Sequence, residues 1–289
     1  MFKETSGSLE LKRGTQAPAN TSAQGFTLIE ILIVVAVLAV LLAILLPCLG
    51  KARIQARRIQ CQGNLRNIVQ GYDMYLGDNN EMYYTLRMEG NTVIGKNAEY
   101  TFGGWKGSEN TIKRPVNRYT DTAINVHDAN TAEVFWCPSD RGGHEYYPDR
   151  TFNSTGNSYQ ANPALTNREL MVEAGWYPEP WREINQLIRS RSPKKRTNVS
   201  QPSRVIFMGD YHWADQWDAT WYECTYQALH NWHGKRHYFN MAFVDGHIEH
   251  IRIIRGIYAT SKYKLSPSSK LDSAIKSKQQ EKLCLCGKP

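Results

Sequence analysis

Histidines and carboxylates gather between residues 210 and 247: Asp210, His212, Asp215, Asp218, His230, His233, His237, Asp245 and His247. Imidazole nitrogens and carboxylate oxygens suit zinc and other transition ions, so Asp210, His212, His233, His237 and Asp245 form a candidate metal set. On a helix, His233 and His237 would share one face. Gly234 interrupts that segment, which runs straight into a strand pattern, and no His-Glu-x-x-His arrangement is present. A structural, hydrogen-bonding role is therefore favoured over metal binding or catalysis. Asp210, Asp215, Asp218 and Asp245 are oxygen donors of the kind calcium takes, but without the spacing of an EF-hand loop. Trp213, Trp217, Trp221 and Trp232 lie among the histidines. Such rings either stack on sugars or build a core, and the core is favoured. Gly103-Gly104 lacks the flanking strand and helix of a phosphate-cradling loop, and no nucleophile elbow occurs in the sequence.

A different chemistry is implied near the N-terminus. Gly25-Phe26-Thr27-Leu28-Ile29-Glu30 opens an apolar run that reaches Leu49, interrupted at Thr27, Glu30 and Pro47. As a helix, its roughly 24 residues would cover about 36 Å, enough to cross a membrane. A carboxylate in such a span costs about 2.5–3.5 kcal/mol at mid-helix, so Glu30 requires a partner. Cleavage after Gly25 would create one, because the new α-amine of Phe26 would lie one turn from Glu30 within a chain or between packed neighbours. Leu45-Leu46-Pro47-Cys48 is a poor lipoprotein site because proline precedes the cysteine. A secretory signal peptide would need a shorter apolar region and a small-residue cleavage site, which the sequence after Leu46 lacks.

The elements that position these groups follow from the residue pattern. Ile54, Cys61, Leu65, Ile68, Tyr72 and Tyr75 recur at helical spacing, with Arg53, Arg57 and Arg58 offset from them. This predicts an amphipathic helix over 50–78, ended by Gly77-Asp78-Asn79-Asn80. From Glu81 to Tyr263, short apolar runs separated by Gly, Asn, Pro and Asp clusters predict strands and long loops. The strongest strand candidates are residues 134–136, 205–208 and 238–244, with Asp245-Gly246 as a hairpin turn and residues 247–253 as the return strand. The polar, lysine-rich residues 266–289 are expected to form a flexible tail. The length of 289 residues fits one globular domain beyond the apolar run. The formal charge of +8 is dispersed. Dispersion argues for a solvated surface and against a nucleic-acid partner.

Gly25 through Glu30, followed by Ile31-Leu32-Ile33-Val34-Val35, resembles the processing and methylation signal of type IV prepilins and type II secretion pseudopilins. The resemblance implies cleavage after Gly25 on the cytoplasmic side by a membrane peptidase, and N-methylation of Phe26. Pro47 becomes residue 22 of a chain starting at Phe26, where pilins often carry a helix-bending proline. The charge pattern points the other way. Lys51, Arg53, Arg57 and Arg58 after the span outweigh Lys3, Lys12 and Arg13 before it, which favours a cytoplasmic C-terminus. The processing signal is given precedence, because it matches by residue identity and position whereas the charge rule is statistical.

The resemblance extends further along the chain. Cys61 with Asn64-Leu65, Cys137-Pro138-Ser139-Asp140, Ser158-Tyr159, Pro202-Ser203, Gly209-Asp210 and Asn240 through Asp245-Gly246-His247 look like a pilin-like subfamily named for a His-x9-Asp-Gly signature. The residue ten before Asp245 is Lys235, with His233 and His237 on either side. A two-residue insertion between His233 and Asn240 would account for the offset, leaving both histidines as candidates for the signature.

The resemblance implies an α+β, pilin-like architecture, in which a long N-terminal membrane and stalk helix packs on an antiparallel β-sheet with long loops. Residues 1–25 would be a leader, 26–49 a transmembrane helix, 50–78 a stalk helix, 79–265 an extracytoplasmic β-rich head and 266–289 a basic tail. The implied function is a structural subunit, not an enzyme, that assembles into a type II secretion pseudopilus or type IV pilus-like filament. Its implied partners are a prepilin peptidase/methyltransferase, other pilin-like subunits and the secretion or pilus assembly machinery. No small-molecule substrate and no cofactor other than the calcium option is expected. The implied location is the bacterial inner membrane, crossed once, with a periplasmic C-terminal domain. Export would permit a Cys61–Cys137 disulfide joining stalk helix to sheet, and buried or free thiols fit the six cysteines equally well. The alternatives are a membrane-anchored metal-binding domain and a membrane-anchored carbohydrate-binding domain.

Overall fold

A computed structural model describes residues 27–84, 88–89, 92–93, 102–107, 114–142, 150–166, 195–211, 213, 232–254, 257 and 259–267. The apolar run and the stripe after it form one α-helix, α1 (Leu28–Asp78), with Pro47 inside it. Proline has no N–H, so the carbonyl of Ala43 loses its helical donor there. By its contacts the chain divides into two compact units, Met1–Leu49 and Gly50–Pro289.

In the first unit, the described residues 27–49 are exposed, and the helix is long and apolar enough to cross a membrane. A continuous apolar surface of this extent is disfavoured in water and is stable in lipid or against similar helices.

In the second unit, α1 buries Cys61, Leu65, Ile68, Val69, Tyr72 and Leu76, while Ile59 and Met74 remain exposed. Ile54, expected in the stripe, is instead exposed. The helix ends where the N–H groups of Asn79 and Glu81 both donate to the carbonyl of Leu76, at 3.1 and 2.8 Å. Asn80 and Glu81 take left-handed backbone, with φ of 53° and 62°, and the Asn79 side chain donates to the Tyr75 carbonyl at 2.7 Å. Asparagine tolerates this conformation, which turns the chain out of the helix. Beyond it, Arg196 joins the helix end to the head: its guanidinium is 2.6 Å from Asp73 and engages both oxygens of Glu81, at 2.7 and 3.1 Å.

The strands are β1 (Met88–Glu89), β2 (Thr92–Val93), β3 (Tyr159–Ala161), β4 (Ile206–Asp210), β5 (Tyr238–Phe243) and β6 (Ile248–Arg252). β1 and β2 pair as a small ribbon, and the other four form an antiparallel sheet in the order β3-β4-β5-β6. The fold is therefore α+β and pilin-like, a long N-terminal apolar helix with a small antiparallel sheet. The period of two along β5 places Phe239, Met241 and Phe243 in a core with Ile206, Ile251, Ile253 and Tyr263. Ala242 and Val244 instead join the core that contains Cys61, Leu65, Ile68 and Tyr72 of α1. Both faces of the sheet are thus covered, and β4 is buried throughout.

Two expectations need correction. Residues 134–136 are not a strand: a 3₁₀ helix runs over Ala129–Phe135, and its N-cap Asp128 accepts the Asn130 N–H. Thr131 adds hydrogen bonds to the carbonyls of Asn125 and Asp128, so local polar capping prevails over β propensity. The tail does not begin at 266, because Ser266 is buried and the Pro267 carbonyl accepts the Ser200 N–H at 3.0 Å. Residues 268–289 lie outside the described residues.

Two helical glycines separate packing from propensity. A Cβ on Gly71 would stand 2.5 Å from Thr120 Cγ2 and 3.1 Å from the Thr120 backbone nitrogen, whereas nothing lies within 4 Å of one on Gly63. Gly71→Ala is expected to lower stability by about 1–3 kcal/mol through overpacking. Gly63→Ala should raise it by about 0.5–1 kcal/mol through helix propensity. Denaturant midpoints of the detergent-solubilised protein measure both changes.

Candidate functional site

Gly25 and Phe26, the processing and methylation positions, lie outside the described residues. The described chain begins at Thr27, immediately before α1, and Glu30 is the third residue of the helix. Glu30 Oε2 accepts from both the N–H and the hydroxyl of Thr27, each at 2.8 Å, and the Glu30 N–H donates to Thr27 Oγ1 at 3.3 Å. This is a reciprocal capping box. A carboxylate in the first helical turn also faces the positive end of the helix dipole, so the mid-helix insertion penalty overstates the cost of Glu30. The Thr-x-x-Glu spacing carries this arrangement in the sequence, and a reading confined to a cleaved α-amine misses it.

The second site is buried in the head. Cys61 on α1 and Cys137 form a disulfide with Cα atoms 5.1 Å apart across 76 residues of sequence. A loop closure of that length contributes about 2–5 kcal/mol. Against it lies His233, with Nε2 3.9 Å from Cys137 Sγ, 2.9 Å from Asp210 Oδ2 and 3.0 Å from the Asn240 side-chain amide. The backbone N–H of Asn240 donates to the same Asp210 oxygen at 2.7 Å, and the other end of its amide lies 3.1 Å from His250 Nδ1. Asn240 thus links two imidazoles and a carboxylate.

The surrounding elements explain how these groups meet. Asp210 ends β4, and Asn240 lies on the same side of β5 as Ala242, facing the disulfide. Asn240 pairs with His250 across β5 and β6, which sets the two side chains on one face. The turn before β5 carries His233 and reverses through Gly234 and His237, at φ of 79° and 61°. The Tyr159 hydroxyl donates to the Cys61 carbonyl at 3.3 Å. Burial first, and the charge of Asp210 second, push its pKa well above the ordinary tyrosine value and keep it a donor. Among the described residues, Asp210 Oδ1, His233 Nδ1 and His250 Nε2 are buried without a hydrogen-bond partner.

Of the metal set expected from the sequence, Asp210 and His233 come together and the rest do not join them. His212 lies outside the described residues, and His237 occupies the left-handed turn position. Asp245 is on the exposed hairpin turn with Gly246, where it accepts the His247 N–H at 3.2 Å and meets His247 Nδ1 at 2.6 Å. Asp245 lies five positions beyond Asn240, about 16 Å of extended chain. The calcium set is likewise divided, since Asp210 is buried, Asp245 is exposed, and Asp215 and Asp218 lie outside the described residues. The metal-ligand group that does form among the described residues is Cys61, Cys137 and His233. Trp213 and Trp232 are buried core residues, and Trp213 Nε1 donates to the Gln160 carbonyl at 2.8 Å. Trp217 and Trp221 lie outside the described residues.

The Cys-Pro-Ser-Asp segment has a structural explanation. Asp140 is buried and accepts the N–H groups of Gly142, Thr151 and Phe152, at 3.0, 3.0 and 2.9 Å, and the Ser158 hydroxyl at 2.7 Å. One carboxylate therefore caps the helix at Thr151–Thr155 and ties it to β3.

His250 makes the buried cluster sensitive to acid. Burial lowers its pKa to about 4; Asp210 pulls it upward, while Arg58, His233 and Lys235 push it down. The folded head therefore resists a proton that the unfolded chain takes up near pH 6.5. Stability present above about pH 6.5 should be lost as the pH falls towards about 4. Unfolding midpoints across that window should decline, and His250→Gln should flatten the decline.

Residues 20–46 match the family model described as the prokaryotic N-terminal methylation motif. The chain is 46% identical over 59 residues to the type IV wide pilus major component PilA4 of Thermus thermophilus, which covers 20% of this chain and 45% of that protein. It thus spans less than half the length of the curated relative it matches. No solved structure matches the chain. The N-terminal end of this chain carries the N-methylation motif of the type IV pilin family.

Proposed function

We propose that the protein is a pilin-like structural subunit, cleaved after Gly25, N-methylated at Phe26 and assembled through its apolar helix into a pseudopilus or type IV pilus-like filament. The observation that carries this reading is the exposed apolar first part of α1, nearly all of which lies within the matched motif. Such a surface fits storage in the inner membrane and transfer to a bundle of like helices without a change of fold. Glu30 has Oε2 engaged by Thr27, which leaves Oε1 to meet the Phe26 amine of a neighbouring subunit. A head closed by a disulfide suits an oxidising, extracytoplasmic compartment. Prepilin peptidase, fellow subunits and the assembly machinery are the partners, and no cofactor is required for assembly.

We also infer that the head belongs to the subfamily with the His-x9-Asp-Gly signature and that His233 takes the place of its histidine. His233 is the one buried against Asp210 and Asn240, whereas His237 is half-exposed in the turn.

Mass spectrometry of the N-terminus from native membranes tests the reading. The mature chain is expected to start with N-methylated Phe26, and a native chain that keeps residues 1–25 would overturn it. Gly25→Ala should accumulate uncleaved precursor. Glu30→Ala should insert normally and fail to enter the assembly, while Thr27→Ala should cost the helix start about 0.5–2 kcal/mol.

A further inference from the structure

Three distant segments bring sulfur and nitrogen donors to one buried point: Cys61 from α1, Cys137 from the end of the 3₁₀ segment and His233 from the turn before β5. Their ligating atoms all lie within 4.8 Å of one another. We propose that, once the Cys61–Cys137 disulfide is reduced, Cys61, Cys137 and His233 bind one thiophilic divalent ion of the zinc class, and that the Asp210 carboxylate, which now contacts His233 alone of the three, turns in to complete the site.

The geometry is close to what such an ion requires. Metal–sulfur bonds of about 2.3 Å and metal–nitrogen or metal–oxygen bonds of about 2.0–2.1 Å set tetrahedral ligand–ligand edges of about 3.3–3.8 Å. Cys137 Sγ and His233 Nε2 stand 3.9 Å apart, and His233 Nε2 and Asp210 Oδ2 stand 2.9 Å apart. The two sulfurs separate to that distance by side-chain rotation once their bond is broken, from Cα atoms 5.1 Å apart. Nε2 of His233 is the ring nitrogen that faces both Cys137 and Asp210, so no ring flip is needed.

A second observation comes from Asp210. Its residue is 1% exposed, yet Oδ1 has no hydrogen-bond partner among the described residues. A buried carboxylate oxygen left in that state is costly, and a cation beside it would remove the cost. Asn240, whose backbone N–H donates to Asp210 Oδ2, would hold that carboxylate from the outer shell, while its side-chain amide would yield its place on His233 Nε2 to the ion.

The ion and the disulfide are mutually exclusive. A phosphine reductant supplies the two electrons that break the S–S bond, and is itself oxidised to the phosphine oxide with oxygen from water. The two resulting thiols lose their protons to solvent as the ion binds them. Before oxidation, the ion would therefore hold α1 to the head at the same two residues that the disulfide later joins.

Cobalt(II) added to the full-length, detergent-solubilised protein tests the proposal, with phosphine reduction and exclusion of oxygen. One equivalent should give the visible bands of tetrahedral cobalt and a sulfur-to-cobalt charge-transfer band, both abolished by an equivalent of zinc. Cys137→Ser and His233→Ala should remove these bands, and Asp210→Asn should weaken binding about 10-fold or more. Cys284→Ser with Cys286→Ser should leave them intact. Absent bands in the reduced protein, bands that survive Cys137→Ser, or equal bands with the disulfide unreduced would each overturn the proposal. Should reduction unfold the head, zinc must restore its circular dichroism, and failure to do so would also overturn it.

Discussion

The first N–H groups of a helix have no partner within it, and beside a membrane each unpaired one costs several kcal/mol. Thr27 and Glu30 meet that constraint with two short side chains, each accepting from the other's backbone or donating across the first turn. Every later feature of the N-terminal span depends on this start. From Ile31, whose N–H donates to the Thr27 carbonyl at 3.3 Å, the backbone can satisfy itself by helical bonds, and the exposed side chains need only an apolar environment. The same two residues explain how an acid is tolerated there. A carboxylate that accepts two hydrogen bonds at the positive end of a helix is already partly neutralised within its own chain.

The head solves a different problem. Four strands of three to six residues cannot organise the long connections between them by ladder bonds alone. Buried polar side chains act as hubs instead. Asp140 gathers four donors at one carboxylate. Asn162 donates to the carbonyls of Ile206 and Leu265, at 2.6 and 2.9 Å, and accepts the Ala164 N–H at 2.9 Å. Such groups are favourable only when their hydrogen bonds are made, which fixes the loops around them. The Cys61–Cys137 bond then ties this loop-rich body to α1.

The parts legible in the sequence are those governed by short periods. The three- and four-residue spacing of Cys61, Leu65, Ile68 and Tyr72 marks the face that α1 buries, and alternation with an Asp-Gly turn marks the β5–β6 hairpin. Residues 134–136 mislead because their apolar run resembles a strand, while Asp128 and Thr131 upstream carry the capping chemistry of a 3₁₀ helix. The buried cluster was only half readable. Asp210 and His233 stand out as metal-ligand types, but Cys137 lies 96 residues before His233, and only tertiary packing brings the two together. The tail boundary was hidden for the same reason, since Ser266 and Pro267 pack against residues far back in the chain.

The place proposed for His233 in a His-x9-Asp-Gly signature rests on where two extra residues do least harm. Between His233 and Asn240 the chain passes through Gly234, Lys235 and Arg236, all exposed, and His237, whose φ of 61° turns it into β5. An insertion in that solvent-facing turn leaves both anchors in place, because His233 is held by Asp210 and Asn240 by the β5–β6 ladder. Exchanging the roles would be costly. His237 would have to leave a turn whose carbonyl accepts the Ile253 N–H at 2.9 Å, and Asp210 and Asn240 would lose their contacts with the His233 ring. Unpaired buried polar groups cost about 1–3 kcal/mol each, so the pairing of the buried carboxylate and amide favours His233 over His237 for that proposed place.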